Sequence, residues 1–251
     1  MDKIAAYLKR IGFTGKPKRN FDTLHALQRN HLQTVPYENL DIVRGVPISL
    51  KIEDIYEKVV TRGRGGYCFE LNALFAWLLR SLGFKVTDYM ARFLKDEPEI
   101  PMRRHRVMLV SIGDEDYLCD VGVGLAVPRK PLPLTHGKVS RQSGEKYILE
   151  KDDFLGNILY DWKNDAWSRI YAFTLEPQIE QDFTAVSFYC EKHPDSIFRK
   201  QDMVHIFTDT GRKSVAGGEV RLFGEIGVEV HKPASESEYH GLLRLHFGID
   251  L

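Results

Sequence analysis

Residues 68–82 set the strongest constraint on how this chain folds. Leu71, Leu74, Phe75, Leu78 and Leu82 recur at helical spacing, and Gly83 follows as a stop. Phe69 and Trp77 carry the apolar surface round to the other side. A helix that is apolar nearly all round belongs inside a protein, so the remaining chain has to cover it on every face. Its first residue is Cys68, directly after Gly65-Gly66-Tyr67. Backbone N–H groups at a helix start lack intrahelical partners, and the aligned peptide dipoles there favour negative charge. A thiol so placed is expected to be acidified below its free value of about 8.5, and the thiolate is the reactive form.

The flanking segments divide by periodicity. Ahead of Cys68 the pattern is helical. Asp2 is positioned to cap a first helix with Ile4, Leu8 and Ile11 on one face before Gly12. Asp22 is positioned to cap a second, with Leu24, Leu27 and His31 or Leu32 inward, and residues 52–61 predict a third, ended by Gly63. From residue 86 onward the period becomes two. Residues 86–93, 104–112, 117–121, 147–150, 158–163 and 169–174 are short, rich in β-branched or aromatic residues, and separated by Gly, Pro and Asp. They predict an antiparallel sheet or small barrel. Residues 128–144, rich in Pro, Lys and Ser, read as a long connection. A short helix is expected over 176–186, strands over 204–208, 219–222 and 226–230, and a last helix over 235–245 with Ser235 or Ser237 as cap. The expected organisation is α+β in three parts: a helical domain over 1–85, a β-domain over 86–182 and a mixed domain over 183–251.

Composition narrows the function classes. The 251 residues carry 35 basic and 35 acidic side chains, so no net field draws in nucleic acid or an anionic membrane. The N-terminal residues are charged where a signal peptide needs an apolar core, and the longest apolar run is far short of a membrane span. The three cysteines, Cys68, Cys119 and Cys190, form no CxxC pair and no disulfide framework, so no metal is expected. These features point to a soluble cytoplasmic protein acting on a small or weakly charged substrate.

A reactive thiol needs a base and a group to orient it. Nine histidines are present, and strand geometry selects one. The run from Arg104 to Ile112 is followed by Gly113-Asp114 and then Glu115 to Asp120. A glycine first in a two-residue loop suits a tight hairpin. With Ile112 facing Glu115, Asp120 falls opposite Val107, on the same face as His105 and roughly 7–8 Å from it between backbones. A four-residue loop would carry Asp120 opposite Leu109 and leave His105 about 13 Å away along the strand. The tight register makes Asp120 the partner of one imidazole nitrogen and leaves the other for Cys68. Cys119 and Cys190 read as structural. Glu70 complements the helix dipole, and Arg62 and Arg64 read as solvated or ion-paired.

With these residues in place, the chain resembles the arylamine N-acetyltransferases. The family motif RGG-x-C-x-E-L-N stands as Arg64 to Asn72, the histidine-led strand as His105 to Val110, and the D-x-G element as Asp120-Val121-Gly122. Further matches are Val35-Pro36-Tyr37-Glu38-Asn39-Leu40-Asp41, Phe173-Thr174-Leu175-Glu176-Pro177 and His193-Pro194-Asp195-Ser196-Ile197-Phe198. The resemblance implies an N-terminal helical bundle, a central antiparallel β-barrel and a C-terminal α/β lid around a core like that of cysteine proteinases. It implies a triad of Cys68, His105 and Asp120, and ping-pong transfer from acetyl-coenzyme A through a Cys68 thioester to an arylamine, hydrazine or arylhydroxylamine. It also implies a place near coenzyme A for Thr208 and a wall of the acceptor pocket for Phe93. Tyr37 stands where the family often has Phe and adds a hydroxyl to that pocket. Arg103 and Arg104 stand where many members have small residues, either facing the coenzyme A phosphates or solvent. Two other readings share the chain order of Cys, His and Asp or the fold: a cysteine peptidase or transglutaminase-type enzyme, and a binding protein without turnover.

Overall fold

The computed structural model describes residues 2–124 and 127–251, and the chain is α+β. Asp2 Oδ1 accepts from Ile4 N–H at 3.0 Å and starts the first helix, Lys3–Arg10. The second, Phe21–Thr34, is capped by Asn20 through Thr23 N–H, not by Asp22. Asn satisfies the same free donor, and Asp22 lies two residues further on in the first turn, beside the positive helix end. Ile52–Tyr56 runs on as a wider π-type turn, Glu57–Thr61. The helix Cys68–Ser81 is the centre of the main core. Every residue from Cys68 to Ala76 is buried, as are Leu78 and Leu79.

The N-terminal helices cover that helix on one side, and one face of an antiparallel eight-stranded sheet covers it on the other. Its order is Leu132–Pro133, Glu115–Cys119, His105–Ile112, Lys85–Phe93, Ala166–Gln178, Gly156–Lys163, Glu145–Asp152 and Ser140–Gln142. In the strand His105–Ile112, Met108 and Val110 pack against the helix side, while Val107 and Leu109 point into a second core inside the curled sheet. The strand is thus buried on both faces. Both edge strands come from the stretch expected to be one long connection. There the Gln142 side chain accepts from Lys130 N–H at 2.8 Å and donates to Lys130 O at 3.1 Å, clasping the two edges together. This side-chain contact nearly closes the sheet into a barrel.

The helix expected over 176–186 is shifted along the chain. Residues 176–178 continue the strand Ala166–Gln178, and the helix begins later, as Asp182–Lys192. Pro177 disfavours helical backbone at Glu176, and Asp182 Oδ2 then accepts from Ile179 N–H to open the helix. The closing part of the chain forms a five-stranded sheet ordered Tyr37–Glu38, Val204–Phe207, Arg212–Ala216, Glu219–Gly224 and Gly227–His231. Its first strand comes from the opening third of the chain. The strand Arg212–Ala216 has no counterpart in the sequence reading. The last helix, Glu236–Phe247, is capped by Ser235 and covers Val204, Val215 and Val220 through Leu243 and Phe247. Among the described residues no helix is long and apolar enough to cross a membrane.

Candidate active site

Cys68 is the first residue of the central helix, and the chain that delivers it is fixed from both sides. Glu70 Oε2 accepts from Tyr67 N–H at 3.0 Å, and its other oxygen pairs with Lys58 Nζ at 2.9 Å. Lys58 also meets Asp41 at 2.7 Å; Asp41 meets Arg64 at 2.8 Å; and Arg64 holds Glu38 at 2.8 Å. Arg64 is therefore ion-paired, and this alternating chain of charge lies under the Gly65-Gly66 turn. A Cβ on Gly65 would sit 2.0 Å from Pro36 O, so the turn packs backbone on backbone.

The hairpin takes the tight register. Gly113 has φ +61°, Ile112 faces Glu115 and Met108 faces Cys119. That brings His105 Nε2 within 2.6 Å of Asp120 Oδ2, both side chains almost sealed from water. The other Asp120 oxygen accepts from Asn72 Nδ2 at 2.9 Å and Gly122 N–H at 2.8 Å. Asn72 also donates to Arg106 O at 2.6 Å and accepts from Val121 N–H at 2.9 Å. Asn72 lies one helical turn after Cys68 and so shares its face. That i, i+4 spacing within the RGG-x-C-x-E-L-N run is the signal that marks it. Gly122 closes the other side: a Cβ there would stand 2.7 Å from Cys68 Cα and 2.7 Å from Asn72 Nδ2.

The expected acidity of Cys68 is not what this setting produces. Burial pushes the thiol well above its ordinary range, the nearby Cys190 sulfur and Asp120 charge add to this, and the backbone N–H groups of Phe69 and Arg106 offset only part. Desolvation outweighs the helix start.

Cys68 and His105 open on one cavity of about 200 Å³, shared with Tyr37, Phe93, Arg104 and His205. Of the expected contact residues, Tyr37 and Phe93 line this cavity beside the thiol. Arg104 lines it too, but its guanidinium is paired with Glu97. Arg103 lies apart, bound to Glu176 at 3.1 Å and to Thr174 at 3.2 Å. Thr208 closes the Val204–Phe207 hairpin, its N–H on Gly211 O and its carbonyl on Arg129. His205 was not singled out by the sequence reading, and only the non-local pairing of its strand with Tyr37 brings it here. A larger cavity of about 360 Å³ lies between Phe21, Tyr117, Lys130 and Tyr147, with no thiol, imidazole or carboxylate in its lining.

The chain is similar to known proteins over nearly its whole length. A sequence model of the N-acetyltransferase family matches residues 20–251. The arylamine N-acetyltransferase of Mycolicibacterium smegmatis is 33% identical, the match spanning 99% of this chain and 92% of that protein. The structure of the M. tuberculosis arylamine N-acetyltransferase superposes with a TM-score of 0.92 at 32% identity, covering 98% of this chain and 93% of the other. A Mycobacterium marinum arylamine N-acetyltransferase in complex with CoA superposes with a TM-score of 0.90 at 31% identity, covering 98% and 92%.

Proposed function

The chain belongs to the arylamine N-acetyltransferase family and is an acetyltransferase, and on that premise we propose a ping-pong reaction through Cys68, His105 and Asp120. In the first half, Cys68 gives its proton to His105 as Sγ attacks the carbonyl carbon of acetyl-coenzyme A. The bond from that carbon to the coenzyme sulfur breaks, and His105 returns the proton to the departing thiolate. In the second half, the nitrogen of an arylamine, hydrazine or arylhydroxylamine attacks the Cys68 thioester. His105 takes the nitrogen's proton and hands it to Cys68 as the thioester opens. Asp120 orients the imidazole and stabilises its charged form. Backbone N–H groups at the helix start offer the developing oxyanion its donors.

The observation that carries this reading is the 2.6 Å contact of Asp120 with His105, whose ring shares a cavity with the Cys68 thiol. Burial raises the thiol, so the scheme needs a base for its proton, and His105 in the same cavity is the group assigned to take it. Arg104, which lines the cavity, is the arginine assigned to the path of coenzyme A; Arg103, which does not line it, is not. The reaction is assigned to the cytoplasm, in keeping with three free thiols.

Incubation with acetyl-coenzyme A and no amine tests the scheme. Intact-mass measurement and peptide mapping should show one acetyl group on Cys68, removed on adding an arylamine and absent from Cys68→Ala. No adduct, or one that survives in Cys68→Ala, sinks the reading.

A further inference from the structure

The acceptor side of the cavity has a wall that the reaction scheme leaves unused. Tyr37 sits between two backbone neighbours, bridging Gly66 on one side and facing His205 on the other. The two rings lie 5.8 Å apart at 25°, a stack, and both line the cavity that holds the Cys68 thiol. Gly124, at φ +72°, packs against the imidazole so tightly that a Cβ would come within 2.7 Å of its Cδ2. His205 is therefore fixed on two faces. Its Nδ1 is enclosed and has no hydrogen-bond partner, which leaves Nε2 as the ring's route to a ligand.

The proton's place follows from the charges around the ring. Burial, then the Arg212 guanidinium, push this histidine down to about 4, so the ring is neutral in ordinary buffers. Nδ1 is enclosed without a partner, whereas Nε2 is the ring nitrogen that a ligand in the cavity can reach. The proton belongs on Nε2, where the cavity receives a neutral N–H donor. With the Tyr37 hydroxyl, this makes the wall a place for an oxygen acceptor. The size of the cavity limits what carries it. A cavity of ~150 Å³ holds a benzene, so about 200 Å³ takes one substituted ring and little more.

We propose that His205, held by Tyr37 and Gly124, is a specificity-determining residue that selects single-ring arylamines bearing a hydrogen-bond-accepting oxygen on the ring. This rests on the arylamine reading above and names its substrate class. A neutral donor on the cavity wall discriminates because an acceptor lacking the oxygen leaves Nε2–H unpaired.

The test compares two amines of nearly equal shape, 4-methoxyaniline and 4-ethylaniline, by the ratio of their kcat/KM values. Taking the ratio within each protein and comparing it between proteins cancels the intrinsic reactivity of the amines and the shared acetylation step. The ratio should fall by about five- to tenfold in His205→Phe, the size of one neutral hydrogen bond, and be largely restored in His205→Gln, which keeps a donor. A second measurement needs no variant. Long-range ¹H–¹⁵N spectra of the wild-type protein should show His205 protonated at Nε2, with that nitrogen shifted by 4-methoxyaniline and not by 4-ethylaniline. A ratio unchanged within about twofold in His205→Phe, or a proton on Nδ1, overturns the role of His205 while transfer itself persists. No transfer to either amine by the wild type overturns the arylamine reading and this proposal with it.

Discussion

Asn72 Nδ2 donates to Asp120 Oδ1 at 2.9 Å, the carboxylate oxygen that His105 does not use. The same amide accepts from Val121 N–H, so one side chain fixes both the carboxylate and the backbone that carries it. His105 is therefore held, through Asp120, from the helix that bears Cys68. A buried amide with three bonds is a positioning residue whose loss is felt in geometry.

Asn72→Ala should lower kcat/KM by about 10- to 100-fold, the effect expected when a reacting group shifts by a fraction of an ångström to one ångström. It should also destabilise the fold by about 1–3 kcal/mol, since Val121 N–H loses its partner in the interior. Asn72→Asp should be worse in activity, because a second carboxylate would face Asp120. Steady-state kinetics with urea melts of both variants give the answer. Unchanged activity in a folded Asn72→Ala would remove Asn72 from any positioning role.

The Glu38–Arg64–Asp41–Lys58–Glu70 chain of charge predicts a different signature. Each member is buried or nearly so, and removing one cation leaves carboxylates without compensation. Arg64→Met should cost about 3–5 kcal/mol, measured by urea unfolding. Arg64→Lys should recover only part of this, because a single ammonium does not reproduce the two guanidinium contacts to Glu38. A Lys variant as stable as wild type would show that charge alone matters.

Two histidines, His31 buried and His205 half-buried, set a pH dependence of stability. Burial, with Arg10 close by, pushes His31 down to about 3, and His205 is down at about 4. In the unfolded chain each would titrate near 6.5, so as pH falls below that value the unfolded state takes up protons that the folded state refuses. The stability is thus complete above about 6.5 and is lost progressively below it, by up to about 1.4 kcal/mol per pH unit for each histidine. Urea midpoints at about pH 7.5 and about pH 5 should differ strongly in the wild type and clearly less in His31→Asn. Equal differences in both proteins would rule His31 out as a source.

How much of this was legible in the sequence depends on the range of each contact. The central helix could be read because an all-round apolar pattern is local, and the His105–Asp120 pairing because Gly113-Asp114 fixes a register through a two-residue turn. Asp22 and the 176–186 segment were misplaced by a few residues, where neighbouring Asn20 and Pro177 decide the boundary. His205 was not legible. Its place depends on the strand Val204–Phe207 pairing with Tyr37–Glu38, two short segments far apart in the chain with no local pattern linking them. The acidity of Cys68 was misread for a related reason. A helix start is visible in sequence, whereas the burial that outweighs it is a property of the assembled core.

Gly122 gives the sharpest steric test. Its backbone needs no left-handed conformation, so the reason for glycine is space: a Cβ would lie 2.7 Å from Cys68 Cα and from Asn72 Nδ2. Neither can retreat, since one is helix backbone and the other is held by Arg106 O and Asp120. Gly122→Ala should therefore displace the Asp120 turn from the helix, destabilise the protein by about 1–3 kcal/mol and cut kcat/KM by about 100-fold. Gly241 is the matched control. It lies exposed within the helix Glu236–Phe247, and a Cβ there would meet nothing within 4 Å. Gly241→Ala should raise stability by about 0.5–1 kcal/mol through helix propensity and leave kinetics as they are. Thermal melts and acetyl transfer assays on the two alanine variants should diverge in opposite directions. If Gly122→Ala retains wild-type turnover, the close approach of this turn to Cys68 has no part in the chemistry.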